Sequence, residues 1–233
     1  MDLSNNPFCL EDLQTIRSHV QLHSMAPIFY DNLMVFEYEK LKTTHQYIIS
    51  VVLSSYIGRD KSSIIIFDKT TNSIVAEYHG EDDIDSIARY LYYQAKELNC
   101  KILISRNGFG TNLLAKLIDT DIKESIIYKE KEATVEERLK YSSVAAGIDT
   151  KIIKQYGYYE TASVRKDMNE LLKLCVELDN TEDADKIIIS PFIFHDIMNM
   201  VIPKTGRIDL TNKLKSFLAG FAYIIKKEDE LRW

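Results

Sequence analysis

Residues Tyr47-Ile-Ile-Ser-Val-Val-Leu-Ser-Ser-Tyr-Ile-Gly-Arg-Asp-Lys-Ser-Ser-Ile-Ile-Ile-Phe-Asp68 hold two β-branched runs separated by a short polar stretch with one glycine. Such runs, bounded by turn residues, read as strand, turn, strand. The Ile74 to Tyr78 stretch follows after Asn72, so three sequential strands joined by short turns form an antiparallel meander. Asn32-Leu-Met-Val-Phe-Glu-Tyr38 reads as a further strand ahead of it.

The period then switches. Ile84, Ile87, Ala88, Leu91, Tyr92, Ala95 and Leu98 recur at helical spacing, with Asp82 and Asp83 where acids favour the helix dipole. Lys101 to Ser105 reads as a buried strand, parallel to its neighbour because a helical crossover precedes it. Asn107-Gly-Phe-Gly110 is a turn into a helix over Leu113 to Ile118, and Glu124 to Tyr128 offers another strand. Residues 129–155 are charged and weakly patterned, which suggests a solvated helix or a mobile loop. A helix from about Ser163, as N-cap, to Leu178 buries Val164, Met168, Leu171, Leu172 and Cys175. Lys186 to Ser190 reads as a short buried strand, and Pro191 opens a helix to about Val201. Pro203 to Gly206 is a turn, and a last helix from about Thr211 to Lys226 carries Leu214, Phe217, Leu218, Phe221 and Ile225. A helical lead-in over residues 5–26, with Leu10, Leu13, Ile16 and Val20 in register, ends at Pro27. The order implies one α/β layered domain over residues 31–233 after a lead-in of 1–30.

At 233 residues the chain can bury a sizeable core. A net charge of −6 supplies no general attraction for polyanions, leaving only a locally basic face for that role. Cys9, Cys100 and Cys175 show no metal-ligand spacing and read as reduced thiols. The N-terminus lacks signal-peptide character and no apolar run reaches a membrane span, so an intracellular soluble protein with no membrane partner is expected.

Taken in order, Asn32 to Tyr38, Tyr47 to Val51, Gly58 to Asp68, Glu77-Tyr-His-Gly80 and Ile102-Leu-Ile-Ser-Arg-Asn107-Gly-Phe-Gly110 resemble one known pattern. With Tyr156-Gly-Tyr-Tyr-Glu-Thr-Ala-Ser-Val-Arg165, they are similar to the C-terminal nuclease domain of the large terminase subunit of tailed viruses. That resemblance implies an RNase H-like mixed sheet with helices on both faces. It also implies metal-assisted phosphodiester hydrolysis, in which two divalent ions are held by three converging carboxylates. The carboxylates belong at the end of the first long strand, at the end of the strand before the Asn-Gly turn, and at the start of the last helix. Here those places hold Val52, Ser105 and Asn212-Lys213-Leu214.

Asp60 and Asp209 are the candidates that could replace the missing acids, Asp60 in the turn after the first long strand and Asp209 just before the last helix. Their plainer roles are a turn residue and a helix cap or dipole partner. His19 and His23 form an i,i+4 pair with no placed third ligand, and adjacent His195 and Asp196 point apart on a helix. The expectation is a nuclease-like binding or structural module of viral DNA packaging without standard two-metal activity. It needs no cofactor, and Mg or Mn only if active. The implied partners are a packaging ATPase motor, portal or capsid proteins and double-stranded DNA, in an infected host cell or a virion. An active divalent-metal endonuclease, and a virion scaffold with no nucleic-acid role, are the competing readings.

Overall fold

The computed structural model describes residues 6–18, 20, 27–55, 61–81, 83–134, 152–178, 188–201 and 208–225. After helix α1 (Leu10–Ser18) come strands β1 (Ile28–Tyr30), β2 (Leu33–Glu37), β3 (Gln46–Val52), β4 (Ser62–Asp68) and β5 (Ser73–Gly80). Helix α2 (Ile84–Glu97), strand β6 (Asn99–Ile104) and helix α3 (Gly110–Leu117) follow. Then come strands β7 (Tyr128–Glu132) and β8 (Ile152–Tyr156) and helices α4 (Ala162–Leu178), α5 (Pro191–Met198) and α6 (Asn212–Ile225).

One six-stranded sheet runs in the order β1-β2-β5-β4-β3-β6. Strands β3, β4 and β5 form the antiparallel meander, and β6 lies parallel to β3 with Val51 opposite Ile104. The parallel pair is possible because α2 carries the chain back across one face. Its N-cap is Asp83, whose carboxylate accepts from the Ser86 N–H at 2.8 Å.

The two central strands are buried along nearly their whole length because both faces of the sheet are covered. Ile49, Val51, Ile64 and Ile66 pack with Leu91, Leu113 and Leu117 of α2 and α3. Ile48, Ile65 and Phe67 pack with Met168, Ile193, Phe217 and Phe221 of α4, α5 and α6. Full burial of each of the two α6 phenylalanines contributes about 1.5–3 kcal/mol. Gly220 lets α6 lie directly on the sheet, since a Cβ there would stand 2.1 Å from the Phe67 ring.

Several sequence expectations need correction. Among the described residues the lead-in helix is Leu10–Ser18, Leu10 is exposed, and Val20, whose N–H donates to the Arg17 carbonyl at 3.3 Å, makes a parallel bridge to Ile189. Pro27 is followed directly by β1, too short to register as a run of its own. The stretch from Glu124 begins in a 3-10 turn (Lys123–Ser125), and the strand starts only at Tyr128. Within 129–155, the described ends form an antiparallel ribbon, with Tyr128 opposite Tyr156 and Glu130 opposite Lys154. The one opposite-charge pair, Glu130 with Lys154, favours a pairing that no apolar pattern signals.

Thr161, not Ser163, caps α4, its hydroxyl accepting from the Val164 N–H at 3.3 Å. The described part of the Lys186–Ser190 segment makes only isolated bridges, Ile188 to Ser73 and Ile189 to Val20. Ser190 then caps α5, accepting from the Ile193 N–H at 3.2 Å, and that helix stops at Met198, short of Val201. The Pro203–Gly206 turn and the His19/His23 pair lie outside the described residues. No helix among the described residues is long and apolar enough to cross a membrane.

Candidate functional site

The three places the sequence marked do come together. Ser105 leaves β6 beside the end of β3, its N–H donating to the Val51 carbonyl at 2.9 Å. Helix α6 crosses the same end of β3, with the buried Ser216 hydroxyl donating to the Ser50 carbonyl at 2.9 Å. The Asn212 side-chain amide closes the third side by donating to the Lys61 carbonyl at 3.1 Å. Val52 is buried at the strand end, and Ser105 is buried beside it.

A fourth segment, which the sequence reading assigned no role, completes the cleft. Tyr158 bridges to Ser105 as a short parallel extension of the sheet, donating its N–H to the Ile104 carbonyl at 3.0 Å. Gly157 turns the chain into that position with a φ of +68°, where a Cβ would meet the Ile104 carbonyl at 2.4 Å. Burial, reinforced by the Glu160 charge, holds the Tyr158 phenol well above the ordinary tyrosine range, against an opposing hydrogen bond from Ser105. Asn107, in the turn after β6, then fixes Glu160 by accepting from its N–H at 2.7 Å.

Glu160 is the buried carboxylate of this cleft, and cations of the chain itself surround it. Arg165 Nε stands 2.6 Å and Lys215 Nζ 3.2 Å from Glu160 Oε1, and the carboxylate side chain is only 5% exposed. Nearby, Asp196 on α5 takes Lys213 Nζ at 2.6 Å and the Thr211 hydroxyl at 2.5 Å. Thr211 caps α6 by accepting from the Leu214 N–H at 3.2 Å, so one network ties the last two helices together. At the outer edge, the Arg106 guanidinium lies 4.7 Å from the centre of the half-exposed Tyr159 ring. Its side chain also donates to the Tyr156 carbonyl at 3.3 Å.

Of the two candidate carboxylates, Asp60 lies outside the described residues. Asp209 is exposed ahead of α6, and the capping role considered for it belongs to Thr211. His195 Nδ1 and Asp196 Oδ1 are 3.7 Å apart, and Asp196 is turned to Lys213 and Thr211. Asp68, at the far end of β4, holds His45 at 2.5 Å and accepts from the Thr70 N–H at 2.7 Å, which is strand-end chemistry.

Among the described residues, the donor set at this place does not suit a pair of divalent ions. Hard cations need several converging carboxylate oxygens, and the ammonium groups of Lys213 and Lys215 repel them. Among the described residues, no three Asp, Glu, His or Cys side chains gather in a way that could hold a metal ion. The one signal for this cluster in the sequence was the pair of lysines spaced two apart at the start of the last helix. The partner acid lies in another segment, where nothing local marks it.

A second polar cluster lies elsewhere on the same face of the sheet. The buried Glu77 carboxylate accepts from the Tyr38 hydroxyl and meets His79 Nε2 at 2.7 Å. The His79 ring packs edge-on against Phe192 of α5. Burial, then the neighbouring Glu77 charge, raises the Tyr38 phenol far above the ordinary tyrosine range.

No protein-family model and no curated protein sequence matches the chain. Solved structures do match its fold. The large terminase nuclease from thermophilic phage G20c with bound magnesium superposes with a TM-score of 0.54 at 10% identity, covering 94% of this chain and 97% of that one. The same nuclease with bound cobalt gives 0.52 at 11% identity over 94% and 97% of the two chains. The large terminase nuclease domain of Thermus phage P74-26 gives 0.50 at 11% identity over 93% and 96%. The chain thus has the α/β, RNase H-like fold of large terminase nuclease domains, matched over nearly its full length.

Proposed function

We propose that this chain is a nuclease-like module of viral DNA packaging that grips duplex DNA at its cleft without cutting it. The observation that supports this reading is that the places where the resemblance implies carboxylates hold none, while three cations, Arg165, Lys213 and Lys215, stand close by. Where the resemblance implies acids, the cleft holds Val52, Ser105 and Asn212-Lys213, and its buried Glu160 is neutralised by Arg165 and Lys215. Arg165 and Lys215 together outweigh the single charge of Glu160, and such a surplus of cations attracts phosphates, whereas no carboxylate cluster among the described residues offers a place for ions that would activate water. Arg106, stacked on exposed Tyr159, extends the basic lining towards the β7–β8 ribbon, where Lys154 Nζ lies 4.0 Å from the Tyr128 ring centre. A packaging ATPase motor and portal or capsid proteins are the partners that suit such a module.

The reading is tested by fluorescence anisotropy with a labelled 30-base-pair duplex across a salt series, with and without EDTA. Binding is expected to persist in EDTA and to weaken steeply with salt. Lys213→Gln and Arg106→Gln should each weaken it uniformly across sequences and reduce the salt slope by about 1. Absence of binding at every salt concentration, with the protein folded, would remove DNA from the account.

A further inference from the structure

Away from the cleft, the sheet ends in an edge with the features of a peptide-docking site. Strand β1 is the terminal strand of the sheet and pairs only with β2 among the described residues. The two are joined by a tight turn in which Asp31 takes a φ of +53°, a conformation Asp tolerates better than most residues. The register places Phe29 opposite Met34, and Tyr30 opposite Leu33. Leu33 belongs to the core under α2, so Tyr30 faces that side, while Phe29 and Met34 face the other. Phe29 is 67% exposed and Met34 41%, a bare apolar pair at the sheet edge.

On the α2 side, Tyr30, Asp31, Ser86, Tyr90 and Tyr93 line a half-open cavity of about 120 Å³, enough for one side chain. Its chemistry is that of a cation site. The Tyr30 and Tyr90 rings meet edge to face at 5.1 Å, and Tyr93 is exposed at the rim. Asp31 supplies a carboxylate at the mouth, held by Arg89 Nε at 3.0 Å in a pair that is more than half exposed on both sides. Such a pair exchanges readily with another cation. Behind the Tyr30 ring sits the buried Glu37 carboxylate, which accepts from the Tyr30 hydroxyl at 2.8 Å. The Tyr90 hydroxyl is buried with no hydrogen-bond partner, although Tyr90 as a whole is only 3% exposed. Aromatic faces backed by carboxylates attract an ammonium or guanidinium group.

We infer that the β1 edge binds an extended segment of a partner protein in which apolar and basic side chains alternate. Added as a seventh strand, such a segment sends successive side chains to opposite faces. One set enters the tyrosine cavity and meets Asp31 at its mouth, with the Glu37 charge behind the Tyr30 ring, and the other covers Phe29 and Met34. A three-residue edge supplies few backbone hydrogen bonds, so the side-chain contacts carry most of the selectivity. This surface is separate from the cleft, and the inference does not depend on DNA binding.

The test uses the full chain and two acetylated, amidated heptapeptides, one alternating valine with lysine and one alternating valine with glutamate. Amide chemical shifts followed by NMR should move at residues 28–34 and 86–93 with the lysine peptide, and its affinity should exceed that of the glutamate peptide at least about tenfold. The isosteric double variant Asp31→Asn/Glu37→Gln should lose about tenfold for the lysine peptide, and Phe29→Ser a similar factor, with unchanged shifts elsewhere reporting an intact fold. Equal binding of both peptides, shifts mapping away from this edge, or no binding of either peptide would overturn the inference.

Discussion

Lys215 Nζ lies 3.2 Å from Glu160 Oε1, so the start of the last helix meets the cleft with a positive charge that the chain itself neutralises. Arg165 reaches the same oxygen at 2.6 Å. A carboxylate buried with two cations is stable where a lone buried charge is not. Lys215→Met should therefore cost about 1–2 kcal/mol, discounted for the partial exposure of both cations. Urea denaturation of the variant checks this, and Glu160→Gln, which strands two cations, should cost at least as much.

Packing fixes where α6 stands. Gly220→Ala places a methyl group against the fully buried Phe67 ring, 2.1 Å from its nearest atom before any adjustment. The helix must lift or the ring must turn, at a cost of about 1–3 kcal/mol. The same shift would move Lys213 and Lys215, so DNA affinity should fall together with thermal stability. A variant as stable as the parent would show that the contact is looser than the structure has it.

The Tyr38–Glu77–His79 cluster makes a sharper prediction for the sheet. Tyr38→Phe removes a hydroxyl that donates to a buried carboxylate and leaves that charge to His79 alone. The expected loss is about 2–3 kcal/mol by chemical denaturation. His79→Gln should be milder, because a side-chain amide can still donate to Glu77.

Acid should unfold the protein partly through Asp68. Burial works to raise its pKa, but the His45 hydrogen bond and the Thr70 N–H outweigh it and hold the carboxyl below the ordinary value of 3.8. A depressed folded pKa contributes stability that is complete above 3.8 and is lost as pH falls through the folded value. Asp68→Asn should therefore be less stable than the parent at pH 7, and the gap should close as pH drops below 3.8. Thermal melts between pH 2.5 and 7, about the range over which carboxylates titrate, follow that gap directly.

The sheet centre was legible because Ile48, Ile49, Ile64, Ile65 and Ile66 leave few alternatives to buried strands, and α6 because Leu214, Phe217, Leu218 and Phe221 repeat at helical spacing. The β7–β8 ribbon was not, because Tyr128-Lys-Glu-Lys-Glu132 offers no apolar face, and its pairing sets Glu130 opposite Lys154 and the Tyr128 ring against Tyr156. β1 failed for shortness: three residues after a proline carry no period. At the cleft, Val52, Ser105 and Lys213 are readable in the sequence as residues without a carboxylate at places where the resemblance implies one. Glu160 was not, since its partners Arg165 and Lys215 come from different helices and only the bridge between Ser105 and Tyr158 brings it in.

The central claim, binding without cutting, is tested most directly by incubating the full chain with supercoiled plasmid and Mn²⁺ and assaying binding and nicking on the same samples. The account predicts a retarded but uncut plasmid, with retardation unchanged by EDTA. Nicking that requires Mn²⁺ and disappears in Asp60→Ala or Asp209→Ala would contradict it.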